Sequence, residues 1–140
     1  MNILAIVSRM RLLILLGMLT GVLLAADAAH AQPPEPPATR LRNPAVVRSM
    51  IGGESHNSYV IRAPKGKTMT VRLSWRREDD NEASFSVSEM PGYYGHEDVT
   101  FGERSKDEKR WSGKIPKTAN YYIYVVAHPI ARYTLRVTIK

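Results

Sequence analysis

Hydrolytic catalysis needs a nucleophile, a base and an acid held together, and this chain scatters those residue types over stretches that read as loops. His56, His96 and His128 each fall in such a stretch. A Ser-His-acid hydrolase places its serine on a strained turn with histidine and acid in line. No G-x-S-x-G is present, and Ser55-His56 reads as a surface dipeptide. Glu97 and Glu103 are the one pair that suggests a glycosidase with two carboxylates. Acids in so polar a context are solvated, so the expectation is that the protein is not an enzyme. Metal chemistry has one oxygen-rich candidate, the run Glu78, Asp79, Asp80, Asn81 and Glu82. A calcium ion takes six to eight oxygens, usually from alternate positions of a D-x-D-x-D-G loop. That spacing is missing, and Arg76 and Arg77 stand beside the acids. His96-Glu97-Asp98 is weaker, because adjacent residues rarely converge on one ion. No cofactor or metal is expected.

Recognition has better material. Residues 90–98 read MPGYYGHED, where Pro91-Gly92 makes a turn and Tyr93-Tyr94 follow at its tip. Tyrosine offers a large amphipathic surface for little lost entropy, which suits binding of a protein or a sugar. Tyr122 and Tyr124 raise the same question on a strand, where a neighbouring loop or a partner would have to cover them.

The rest of the chain must position these groups. Arg9 and Arg11 precede the apolar run of residues 12–26, and Ala29-His30-Ala31 supplies a small-x-small cleavage site. Residues 1–31 thus read as a cleaved secretory signal, the run being short of the ~20 apolar residues of a membrane span. Met10-Arg11-Leu12 would itself open a compact signal, so translation from Met10 is equally compatible. No transmembrane segment is expected after cleavage, and the protein should be periplasmic or secreted. With no cysteine, packing alone must hold an exported domain. Loss of Arg9, Arg11 and Asp27 with the signal takes the formal charge from +7 to +6. That balance favours an anionic neighbour such as a cell-envelope glycan or an acidic protein. Export argues against nucleic acid.

Residues 32–42 begin QPPEPPAT and read as an extended Pro-rich leader, leaving 43–140 for the folded domain. Within it, short strand patterns recur between Gly and Pro signals. The clearest is TMTVRLSW, residues 68–75, with Met69, Val71, Leu73 and Trp75 on one face. Ala83, Phe85 and Val87 alternate with serines. Weaker patterns cover 45–51, 58–63, 99–101 and 111–115, while 103–110 reads as solvated. At the end, Tyr121, Ile123, Val125 and Ala127 line one strand, and Tyr133, Leu135, Val137 and Ile139 line the next. These two read as a hairpin about residues 128–131. No amphipathic helix follows the signal. About eight antiparallel strands at this spacing predict an all-β fold, a single jelly-roll-like β-sandwich.

The order of these signals resembles the pre-peptidase C-terminal-like β-sandwich domains of secreted bacterial proteins. Within that group it is most similar to the small periplasmic inhibitors of g-type lysozyme. Tyr59-Val60-Ile61 before Lys65-Gly66-Lys67, Trp111-Ser112-Gly113 with Pro116, and Tyr133-Thr134-Leu135 carry the resemblance. It covers roughly residues 46–139. It implies a protein that blocks the lysozyme active-site cleft with a loop, to which a Ser-Gly and a nearby Tyr contribute. The only Ser-Gly here is Ser112-Gly113, and the next tyrosine, Tyr121, is eight residues on and belongs to a core face. The resemblance therefore implicates Ser112 and Gly113, with Arg104, Lys106 or Lys114 available to pair with a lysozyme carboxylate, while Tyr93 and Tyr94 are the aromatic contacts read from the 90–98 loop itself. Many lysozymes are cationic, so long-range attraction would not assist the encounter. The other implied role is an envelope module that binds anionic glycan or a protein without inhibiting anything.

Overall fold

The computed structural model describes residues 35–92 and 98–140. These residues hold nine strands and no helix. One sheet has the order β1 (Thr39–Arg40), β3 (Asn57–Ala63), β8 (Ala119–His128), β5 (Glu82–Ser88). The other has the order β2 (Ala45–Gly52), β9 (Ile130–Ile139), β4 (Thr68–Trp75), β7 (Arg110–Lys114), β6 (Gly102–Arg104). The export signal read at residues 1–31 lies outside the described residues. Among those described, no helix is long and apolar enough to cross a membrane.

Period-two alternation builds the core. Tyr59, Ile61 and Ala63 of β3 align with Ile123, Tyr121 and Ala119 of β8, and Phe85 and Val87 of β5 align with Val125 and Ile123. From the second sheet, Met69, Val71, Leu73, Trp111, Tyr133, Leu135 and Val137 face them, all buried. Each large apolar side chain removed from water contributes about 1.5–3 kcal/mol, and this face-to-face packing is what makes a sandwich. The core is sealed at one end by polar pairing. The hydroxyls of Tyr59 and Tyr133 are 2.5 Å apart, and Asn57 Nδ2 donates to the Tyr133 hydroxyl at 2.7 Å. Burial and this neighbour push the Tyr59 phenol well above its ordinary pKa.

The sandwich is as expected, but its last two strands are not a hairpin. β8 pairs with β3 and β5, while β9 pairs with β2 and β4 in the other sheet. The chain changes sheets at His128-Pro129, a cis peptide. Two apolar faces of equal period can lie side by side or face each other across a core, and alternation alone does not distinguish these. The pairing is also not wholly antiparallel. β1 runs parallel to β3, with Thr39 opposite Tyr59 and Arg40 opposite Val60. β1 falls inside the stretch read as leader. The short strand expected at 99–101 occurs instead at β6, so Glu103 and Arg104, read as solvated, are sheet residues.

Candidate functional site

β5 and β6 are edge strands of different sheets. Arg104 joins them. In the register of β6 with β7 it pairs with Trp111, a core residue, so its side chain points inward. Its guanidinium donates to Phe85 O at 2.7 Å and stacks 4.4 Å from the Phe85 ring. Its Nε donates to Asp98 Oδ2 at 2.6 Å, and Nη2 lies 2.6 Å from the same oxygen in an ion pair. Asp98 Oδ1 accepts from the Val87 amide at 2.7 Å. The far end of the 90–98 stretch is thereby fastened to β5 and β6. The near end is fastened too: the Tyr124 hydroxyl donates to Met90 O at 3.1 Å. Tyr93 and Tyr94 themselves lie outside the described residues.

That hydrogen bond also answers the question of the outward tyrosines. Tyr124 is 2 % exposed and Tyr122 half-buried. Pro36, Pro37 and Pro91 line a cavity of about 330 Å³ over them. Burial first, then the charge of Glu35, pushes the Tyr124 phenol up to about 12. Its edge meets the His56 ring at 6.0 Å. Residues 35–38 thus help to cover this sheet.

Arg104, Ser112, Gly113 and Lys114 line one depression of about 410 Å³, with Arg110 and Glu103 beside them. Their settings differ from those read in the sequence. Ser112-Gly113 is not a turn or a loop tip; both residues are in the middle of β7. Gly113 is buried, and a methyl added there would come within 2.7 Å of the Trp111 ring. Gly102, its partner on β6, lies under the same indole. The glycines are there to admit tryptophan. Ser112 faces outward and shares a hydrogen bond with Thr70 at 3.0 Å. Lys114 is exposed at the strand end. Arg104 is held by Asp98 and Phe85.

The acidic run is organised from within. Asn81, 7 % exposed, accepts from the Glu78 amide at 3.0 Å and donates to Arg76 O and Ile130 O, both at 3.2 Å. It ties the turn to the β8–β9 crossover, and Arg76 pairs with Glu78 at 3.1 Å. Asp79 and Asp80 have φ of 49° and 58°, the left-handed region that short polar side chains tolerate. Among the described residues no three acidic or histidine side chains converge on one point.

The sequence reading missed a groove of about 590 Å³ at the opposite end of the second sheet. Met50 and Trp75 give it apolar walls, and Arg48, Arg76 and Arg132 surround it. The outward positions of β2 and β9 signalled it, once their register was known.

No protein-family profile matches the chain, and no curated protein matches it in sequence. Solved structures do match. A periplasmic inhibitor of g-type lysozyme from Aeromonas hydrophila, PliG, superposes with a TM-score of 0.60 at 20 % identity. The match covers 74 % of this chain and 96 % of that one. The two proteins share one fold. PliG from Salmonella Typhimurium matches at 17 % identity and a TM-score of 0.49, over 74 % of this chain and 98 % of that one. A mutant of PliG from Escherichia coli matches at 14 % identity and a TM-score of 0.48, over 74 % and 97 %. The Aeromonas PliG match takes in nearly the whole inhibitor, so the likeness concerns the complete sandwich and not one hairpin of it.

Proposed function

We propose that this protein is a non-enzymatic periplasmic inhibitor of g-type lysozyme that closes the enzyme's cleft with the loop at residues 90–98. The observation that carries this reading is the superposition on Aeromonas PliG over 96 % of that chain. The Pro-Gly-Tyr-Tyr sequence of the loop supports it, since Tyr is favoured where a rigid aromatic contact is needed. The fastening of Met90 and Asp98 to the sandwich supports it further. A loop whose two roots are pinned loses less entropy on binding than one free at its base. In this reading Tyr93 and Tyr94 enter the cleft, and Arg104 acts at one remove by holding Asp98. Ser112 and Lys114 contribute from the adjoining strand face, and Gly113 contributes only through Trp111. The exported chain, residues 32–140, protects cell walls for its host.

The double variant Tyr93→Ala, Tyr94→Ala tests the loop. It should lose at least tenfold in inhibition of a g-type lysozyme while keeping the melting temperature of the parent. Aromatic anchors at interface centres typically carry about 2 kcal/mol or more. Full inhibition by a folded double variant would assign the contact elsewhere.

A further inference from the structure

The outward face of the second sheet carries a row of like charges that its own fold does not neutralise. Register places Arg136 of β9 opposite Arg72 of β4, and Arg72 opposite Arg110 of β7. Three arginines therefore stand side by side on three adjacent strands, spanning about 10 Å at ordinary strand spacing. Arg48 on β2 and Arg132 on β9 face the same way in the neighbouring rows, as does Lys114 on β7. All six are exposed. Glu103 on β6 is the acid at outward register on these strands. Among the described residues the ion pairs are Arg76–Glu78, Arg104–Asp98 and Lys117–Glu89, none of which involves the row. Like charges directly opposite each other weaken a sheet, and a local conflict with no compensating contact marks a surface kept for function.

Two further observations narrow the partner. Val46, Met50 and Ile130 are 54 %, 52 % and 52 % exposed, and they point outward from β2 and the start of β9, alongside the arginines. No aromatic side chain occupies an outward position of β2, β9, β4 or β7. The outer face of the other sheet differs: β5 presents Ser84 and Ser86, and its cations, Arg62 on β3 and Arg40 on β1, form no row of adjoining arginines. A basic array with exposed apolar side chains beside it matches phosphate headgroups over an acyl boundary, and the rings that reach the groove at its end, Trp75 and Tyr133, stand at inward register.

We propose that the β2-β9-β4-β7 face docks the protein on the surface of an anionic phospholipid bilayer. Ser112 and Lys114 share this face with the contact proposed for lysozyme. Arg72, Arg110 and Arg136 have no part in that contact, so the proposal does not depend on the lysozyme reading. Basic residues act additively at such a surface, through attraction that salt screens. The test is sedimentation of residues 32–140 with vesicles of phosphatidylcholine, with and without phosphatidylglycerol. Binding should require phosphatidylglycerol, fall at high salt, and weaken roughly a hundredfold in Arg72→Gln, Arg110→Gln, Arg136→Gln. Val46→Ser, Met50→Ser should weaken it severalfold, and Arg62→Gln on the other face should leave it unchanged. Relief of like-charge contacts should keep the triple variant folded; should it not fold, Arg48→Gln, Arg132→Gln provides the same readout. Equal binding to phosphatidylcholine alone, parental binding by the arginine variants, or binding to soluble heparin without binding to vesicles would each overturn the proposal.

Discussion

Arg104 and Gly113 show how a residue's type can be read while its duty is not. Both were legible as candidates for contact with a partner, a cation and a Ser-Gly beside a tryptophan. The structure uses one to link β5 to β6 through Phe85 O and Asp98, and the other to make room for the Trp111 ring. The parity of a three-residue strand such as β6 is too short to reveal in a sequence, so an inward arginine looked solvated. Gly113→Ala should destabilise the protein by about 1–3 kcal/mol through overpacking, measured by urea unfolding. Ser112→Ala should cost less than about 1 kcal/mol, the value of a cross-strand hydroxyl pair. Arg104→Ala breaks charge-assisted bonds worth about 1.5–3 kcal/mol in general. Its partly exposed side chain places it toward the low end of that range. It should also weaken lysozyme inhibition through Asp98, without removing any group from the contact. Tyr124 gives a test in pH. Its phenol rises from 10.0 to about 12, so the folded state favours the neutral form. The stability this provides is complete below pH 10 and drains as pH climbs from 10 to about 12. Urea melts across that window should show the parent losing its advantage over Tyr124→Phe; parallel loss in both proteins would refute the linkage.

At the scale of elements, alternation identified most strands well. Thr68–Trp75 and Glu82–Ser88 were legible because alternate apolar residues face a core on one side and water on the other. β8 and β9 were legible as strands but not as members of different sheets. Their apolar faces meet across the core, where a hairpin would have set them edge to edge. β1 was hidden because two residues carry no period, and a Pro-rich context argues against a strand. It is held by its neighbours, with the Leu41 amide donating to Val60 O at 2.8 Å. Ile123→Ala in β8 and Leu135→Ala in β9 should each cost about 2–5 kcal/mol in thermal or urea unfolding, since both are fully buried. A cost under 1 kcal/mol at either position would contradict the placement of these strands back to back.

The described residues form a two-sheet sandwich whose outer faces differ in character. One is covered by Pro36, Pro37 and Pro91 over Tyr122 and Tyr124; the other is open and basic. Net charge was legible from composition, but its concentration on one face was not, because Arg72, Arg110 and Arg136 are brought together only by strand order. The fold resemblance was legible in the order of turns and strands, and it is met by the structural match to Aeromonas PliG at 20 % identity. The site was legible only as a set of loops and residue types, because its geometry depends on which sheet edges adjoin. The most direct test is the rate at which a g-type lysozyme lyses cell walls in the presence of purified residues 32–140. The rate should fall to near zero as the protein reaches equivalence with the enzyme, and a lysis rate unchanged at saturating protein would contradict the proposed function.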